Sequence, residues 1–176
     1  IHERVDHAVL KAEEAGFGEL EGVPQTGFLP VEYRQVELEF LTQVQAINQA
    51  LDEQLNQNPK ILVLGEDIRS PYGGAFKVTK SLSDKYPNQI FNTPISEACI
   101  VGIGNGLALK GFRPIVEIMF GDFVTLAFDQ IMNHASKFRG MYNQKVSVPL
   151  LIRTPMGGGR GYGPTHSQCL EKHLLG

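Results

Sequence analysis

The strongest constraint on this chain is a series of short apolar runs spaced by helix-length stretches. The runs are Ile61–Leu64, Ile90-Phe91, Ile115–Ile118 and Val148–Ile152. A half-buried strand alternates apolar and polar residues, whereas Ile61–Leu64 is apolar without a break, the mark of a strand covered on both faces. Helical signals fill the gaps. Thr42 stands three residues before Gln45, a capping-box pattern. Val44, Ile47, Leu51 and Leu55 then recur at helical spacing until Asn58-Pro59. Lys77–Tyr86 reads as a second helix with Val78 and Leu82 inward. Ser96 can cap a third running to Leu109, with Gly111 just past its end, and Val124–Phe138 reads as a fourth. Val148–Ile152 reads as another buried strand, and Val36–Phe40 as an edge strand or lead-in. Strands alternating with helices imply right-handed crossovers. The expected fold class is therefore α/β, a doubly wound and mostly parallel sheet flanked by helices, over residues 35–176.

Residues 1–34 differ in texture. Val5, Ala8, Val9 and Ala12 give a helix-like stripe, and Gly22, Pro24, Gly27 and Pro30 punctuate the irregular stretch after it. This reads as a short helix plus linker, too small to be a domain. The chain has no initiator Met, which suggests a processed chain or a fragment. It stops at Leu174-Leu175-Gly176 in what reads as the middle of a helix, so a domain truncated at its C-terminus is expected. The 176 residues are 42% hydrophobic and 20% charged, a balance that fits a folded domain rather than a disordered tail. A net charge of −3 gives no footprint for nucleic acid or for an anionic membrane. The most apolar stretch, Ile100–Phe120, is interrupted by Lys110, Arg113 and Glu117, so no span is expected. Cys99 and Cys169 are in no metal-ligand spacing and suit a reducing compartment.

Ligands of open α/β sheets bind beyond the carboxyl ends of the strands. That rule selects Gly65-Glu66-Asp67, Thr93–Glu97, Met119–Phe123 and the glycine loop 157–163 with His166. Two carboxylates, an aromatic cluster and a histidine are expected on one rim. Each has a plainer reading. Glu97 in a first helical turn suits the helix dipole. Glu66 and Asp67 also read as solvated loop acids, and Phe120 and Phe123 as core. The glycine loop lacks a phosphate-loop lysine, and Gly102-Ile103-Gly104-Asn105-Gly106 carries Leu107 where a dinucleotide fingerprint needs its third glycine. Those helical glycines are expected to let a helix approach its neighbour.

In order, the chain shows Leu64-Gly65-Glu66-Asp67, Tyr72-Gly73-Gly74 with Phe76-Lys77-Val78, Thr93-Pro94-Ile95-Ser96-Glu97, Gly111-Phe112-Arg113-Pro114, Phe128-Asp129-Gln130, Ile152-Arg153-Thr154-Pro155 and His166-Ser167-Gln168. The series resembles the β chain of the thiamine-diphosphate-dependent 2-oxoacid dehydrogenases of the pyruvate and branched-chain type, from roughly Val36 to the C-terminus. The resemblance implies the pyrimidine-binding domain of a thiamine-diphosphate fold, cut before its last strand. It implies that Glu97 is the catalytic glutamate, hydrogen-bonded to the aminopyrimidine ring of thiamine diphosphate. That role needs a carboxyl of raised proton affinity, which a desolvated site provides. Phe123 would stack on the ring, Ile95 would make an apolar contact, and Glu66 would be a second carboxylate beside it. Met119, at a cofactor-facing position, stands where branched-chain relatives often carry Gln, which bears on a polar contact there. His166 would be the catalytic histidine of the later proton transfers and of acyl hand-over to lipoamide, work that suits an imidazole.

The family's diphosphate- and magnesium-binding motif, a Gly-Asp-Gly with a downstream Asn, is absent from this chain. In the family it lies on the α chain, so magnesium is expected mainly there and the active site at an α–β interface. Potassium held by the backbone of Val148, Leu150 and Leu151 is a further implication. Arg4–Ala15 with its Gly/Pro linker reads as the tail of an α chain joined to a β chain. The partners implied are an α-type domain, fused or separate, a second copy giving a heterotetramer-like assembly, and the lipoyl domain of a dihydrolipoamide acyltransferase. No nucleic acid and no membrane are expected. The compartment implied is bacterial cytoplasm or mitochondrial matrix, and the piece alone is expected to be inactive. Other thiamine-diphosphate chemistry, namely acetoin cleavage or ketol transfer, and a non-catalytic assembly subunit are the alternatives.

Overall fold

The computed structural model describes residues 41–159 and 161–174. The readings of residues 1–34 and of Val36–Phe40 lie outside the described residues. Helix α1 spans Gln43–Gln57 and begins as the capping box requires. Thr42 Oγ1 accepts the Gln45 N–H at 3.3 Å, and Gln45 Oε1 accepts the Thr42 N–H at 2.9 Å. Such a cap stabilises a helix by about 1 kcal/mol. The helix ends at Asn58, whose φ of −138° is extended. Gln89 ties that end to the sheet, its Nε2 donating to the carbonyls of Asn58 at 3.1 Å and Ile61 at 2.9 Å.

Strand β1 spans Ile61–Gly65. Helix α2 spans Leu82–Lys85, strand β2 Ile90–Asn92, helix α3 Glu97–Leu109 and strand β3 Arg113–Glu117. A 3₁₀ helix, Gly121–Ala127, then leads to a π-helix, Gln130–Ala135, and to α4, Phe138–Met141. Strand β4 is Leu151–Arg153, and a last 3₁₀ turn covers Glu171–His173. The strand order is β2-β1-β3-β4, and every pairing is parallel. Val63 lies opposite Ile90 on one side and Ile115 on the other. The expected doubly wound sheet is what forms. On one face Ile61 and Val63 pack with Leu51, Leu55, Val78 and Leu82. On the other, Leu64 and Val116 pack with Ile100, Val101, Val124 and Ala127. Each such side chain leaving water contributes roughly 1.5–3 kcal/mol, which is why β1 has no polar position to spare.

Three elements differ from expectation. The helix expected over Lys77–Tyr86 is only the single turn α2. Lys77 and Ser81 are left-handed, at φ 62° and 66°. Long-range contacts override local propensity here. Thr79 Oγ1 donates to the Ile68 carbonyl at 2.7 Å, and a Cβ on Gly73 would stand 2.7 Å from Lys80 Cα. Val78 and Leu82 nonetheless point inward. The helix expected over Val124–Phe138 breaks into 3₁₀, π and α pieces. Side chains compete for its carbonyls, as Asn105 Nδ2 does at Gln130 O (2.8 Å) and Ser136 Oγ at Met132 O (2.7 Å). The buried strand expected over Val148–Ile152 pairs only from Leu151, which is 52% exposed. Among the described residues β4 pairs with β3 alone, so it is an edge strand with one covered side. The helical glycines divide. A Cβ on Gly104 would lie 2.9 Å from Val116 and from Leu150, a true close approach, whereas one on Gly106 would meet nothing within 4 Å.

Candidate active site

The chain crosses the sheet in one direction from β1 to β2 and in the other from β2 to β3. The order 2-1-3-4 therefore reverses between β1 and β3, and the crevice of such a sheet opens beyond their carboxyl ends. Gly65 closes β1 there because nothing larger fits; a Cβ would lie 2.9 Å from Glu117 O and 3.0 Å from Ile68 Cγ2. Glu66 follows at once and is only 7% exposed. Burial pushes its carboxyl above the ordinary value, and the charges of Glu97 and Asp67 push it further. Glu97 opens α3 and is 6% exposed. Ser96 is the N-cap, as expected, but its side chain makes no capping hydrogen bond. Thr93 donates its N–H to Gly65 O at 3.0 Å, joining the ends of β1 and β2. Among the described residues, Glu66 Oε1 and Thr93 Oγ1 are buried polar atoms with no hydrogen-bond partner. Ile95, two residues before Glu97, is 84% exposed.

Beyond β3 an aromatic group forms around His166. Its ring meets Phe120 at 4.9 Å and Phe123 at 5.1 Å, both edge to face. Phe120 also meets Phe76 at 5.8 Å and Tyr162 at 5.5 Å. Thr165 Oγ1 lies 2.9 Å from His166 Nδ1. Phe76, Phe120, Tyr162 and His166, with Pro155 to Gly158, line a cavity of about 80 Å³. Met119, next to Phe120, is half-buried.

The contacts thus sort the expected rim residues into two groups. The charge of Glu97 acts on Glu66, and Phe123 and His166 share an aromatic cluster. Phe120, read also as core, is the hub of that cluster. Two long-range pairs were not expected from the sequence. Glu117 is buried at the end of β3, and Arg153 Nη1 reaches to 2.6 Å from its Oε2. Burial raises the Glu117 carboxyl, and Arg153 opposes that rise. The pair lies at ion-pair distance without hydrogen-bond alignment, since Nε and Nη1 of Arg153 have no hydrogen-bond partner among the described residues. Asp122 is also buried and accepts Gln168 Nε2 at 2.7 Å. A charged residue at the end of a buried strand was the available clue to Glu117. The backbone segment read as a potassium site has the Val148 carbonyl accepting the Leu150 N–H at 2.8 Å. No described helix is long and apolar enough to cross a membrane.

A parallel sheet with an acid pair and an aromatic–histidine group at its switch point defines an α/β ligand-binding domain. The chain belongs to the transketolase pyrimidine-binding domain family, whose pattern matches residues 41–175. It is 43% identical over 125 residues to the mitochondrial pyruvate dehydrogenase E1 component subunit beta-1 of Arabidopsis thaliana, covering 70% of this chain and 34% of that protein. It is 42% identical over 136 residues to the 3-methyl-2-oxobutanoate dehydrogenase subunit beta of Mycobacterium tuberculosis, covering 77% and 39%. Among solved structures it resembles a split-gene transketolase, described as an inactive β4 tetramer, with TM-score 0.55 and 26% identity over 74% of this chain and 37% of that one. The chain spans between a third and two-fifths of the length of these curated relatives.

Proposed function

We propose that this chain is the pyrimidine-binding part of the β-type component of a thiamine-diphosphate-dependent 2-oxoacid dehydrogenase, an enzyme that decarboxylates a 2-oxoacid and passes the acyl group to lipoamide. The carrying observation is the acid pair Glu66–Glu97 at the switch point of a pyrimidine-binding domain, with the Glu66 carboxyl pushed up. The residues suit an aminopyrimidine. Among the described residues, Glu66 Oε1 and Thr93 Oγ1 are buried polar atoms without protein partners, and burial pushes the Glu66 carboxyl up. Glu97 would hydrogen-bond the ring, Glu66 would support it, and Phe123, Ile95 and Met119 would supply the apolar surface. When bound, thiamine diphosphate supplies the nucleophilic carbon and the electron sink for decarboxylation. The Glu66 carboxyl is disposed to hold a proton where the ring would be read, because burial and the charges of Glu97 and Asp67 disfavour its ionised form. His166, against Phe120 and Phe123, would move protons at the acyl centre and face the lipoyl group.

The supporting relatives are β subunits, so we assign the rest of the site to an α-type domain, in a heterotetramer-like assembly of two copies of each. Magnesium and the diphosphate would be held mainly by that domain, and a potassium ion would be held by backbone carbonyls near Val148–Leu151. The pyruvate dehydrogenase relative is 43% identical to this chain and the 3-methyl-2-oxobutanoate dehydrogenase relative 42%, so the substrate class proposed is a 2-oxoacid of the pyruvate or branched-chain type. The compartment follows the host, cytoplasm or mitochondrial matrix.

The test is 2-oxoacid-dependent dye reduction by the protein that carries this chain, assembled with its α-type domain. Assays run with and without thiamine diphosphate and magnesium, beside Glu97→Gln. Cofactor-dependent turnover with pyruvate or a branched-chain acid should fall roughly 100-fold or more in the variant. Full activity in Glu97→Gln, or bound cofactor without turnover of any 2-oxoacid, would defeat the proposal.

A further inference from the structure

We propose that Asp122 is a positioning residue for His166 and acts through Gln168, a proposal that rests on the reading of His166 given above. The loop from Met156 to Gln168 is rich in glycine, and Gly157, Gly159, Gly161 and Gly163 all have positive φ, between 76° and 96°. Such a segment loses much backbone entropy when it is ordered, so it needs anchors. Two consecutive residues supply them. Gly121 donates its N–H to Pro155 O at 2.9 Å, and it receives Met156 so closely that a Cβ there would lie 2.3 Å from Met156 Cγ. Asp122 holds the far end. Its two carboxylate oxygens accept Gln168 Nε2 at 2.7 Å and the Gln168 N–H at 3.4 Å.

The anchor and the walls of the histidine come from one short segment. Asp122 lies between Phe120 and Phe123, the two rings His166 meets edge to face. Gln168 lies two residues beyond His166. The latch therefore fixes the backbone that carries the imidazole against the same element that supplies its stacking surface. Asp122 is buried, whereas Gln168 is exposed, so the chain brings its amide to a carboxylate that is already in place. A bond between a charged and a neutral group is stronger than one between neutral groups.

The experiment measures 2-oxoacid turnover with a lipoyl-domain acceptor by the assembled protein that carries this chain. It compares the parent, Asp122→Ala, Asp122→Asn, His166→Ala and the double variant Asp122→Ala/His166→Ala. Asp122→Ala should lower kcat roughly 10- to 100-fold through misplacement of the imidazole. The KM for the 2-oxoacid should stay within about twofold. Asp122→Asn should recover most of the loss, because its amide oxygen still accepts the Gln168 side chain. Asp122→Ala should add nothing to His166→Ala, as expected of a residue acting through another. Should Asp122→Ala fail to fold, the exposed Gln168→Ala removes the same side-chain donor and should lower kcat in the same direction. Fully additive losses in the double variant would overturn the latch. So would parent activity in Asp122→Ala and Gln168→Ala while His166→Ala is impaired. Parent activity in His166→Ala would instead overturn the role of the histidine, and the latch with it.

Discussion

Glu66 and Glu117 stand at the ends of neighbouring parallel strands, since Glu117 pairs with Gly65 and Glu66 follows Gly65 in the chain. Both are buried, and in both burial pushes the carboxyl upward. Their neighbours differ. Glu117 has the guanidinium of Arg153 at 2.6 Å, whereas Glu66 has the carboxylates of Glu97 and Asp67. A buried acid with a counter-ion joins two elements, and removing either partner leaves a charge stranded. A buried acid among acids is costly in its ionised form and is therefore disposed to keep a proton. One position thus links β3 to β4, and at the other the ionised form is disfavoured.

The largest effect expected from this contrast is on stability. Glu117→Ala strands Arg153, whose side chain is 15% exposed. The protein carrying this chain should lose about 3–5 kcal/mol in denaturant unfolding. Pairing the change with Arg153→Leu should recover most of that. A loss as small as that of a surface substitution would mean the two glutamates do not differ as argued.

A smaller effect is expected at Gly74. Its φ is +79°, and a Cβ would stand 3.0 Å from Glu117 Oε1. Gly74→Ala should therefore cost about 1–2 kcal/mol from the left-handed backbone alone. Because the new methyl presses on Glu117, thermal melting in the Glu117→Ala background should show a reduced cost. An equal cost in both backgrounds would mean that the carboxylate is not held against this loop.

What the sequence made legible is what local physics decides. The capping box at Thr42, the unbroken run of β1 and the placing of Glu97 in the first turn of α3 each depend on a few adjacent residues. The Glu66–Glu97 pair was within reach because strand ends converge in any parallel sheet. The Arg153–Glu117 and Asp122–Gln168 pairs were not, since polar residues far apart in the chain leave no periodic trace; the second spans 46 positions. The single turn of α2 was missed for a related reason. Thr79 bonding to Ile68, and Gly73 packing on Lys80, are tertiary events that defeat a good helical pattern. The exposure of Leu151 goes with a strand that, among the described residues, pairs with β3 alone, which composition does not encode.

The subtlest test reads the Glu66 carboxyl by pH. Glu66 in the folded protein holds its proton above the ordinary value of 4.5, because it is buried beside Glu97 and Asp67. Between that value and the raised one, the folded state binds more protons than the unfolded state, so stability falls as pH rises through the window. Below the ordinary value both states are protonated and the penalty is absent. Glu66→Gln removes this titration. Melting temperatures should therefore match the parent near pH 4 and equal or exceed it near pH 7, even as cofactor-dependent activity declines. Burial also raises the Glu117 carboxyl, with Arg153 opposing the rise, so Glu117→Gln removes a titration of the same sign together with the ion pair. If Glu66→Gln lowers the melting temperature at pH 7 relative to pH 4, then the Glu66 carboxylate is stabilised as an anion. Its disposition to hold a proton would then be lost.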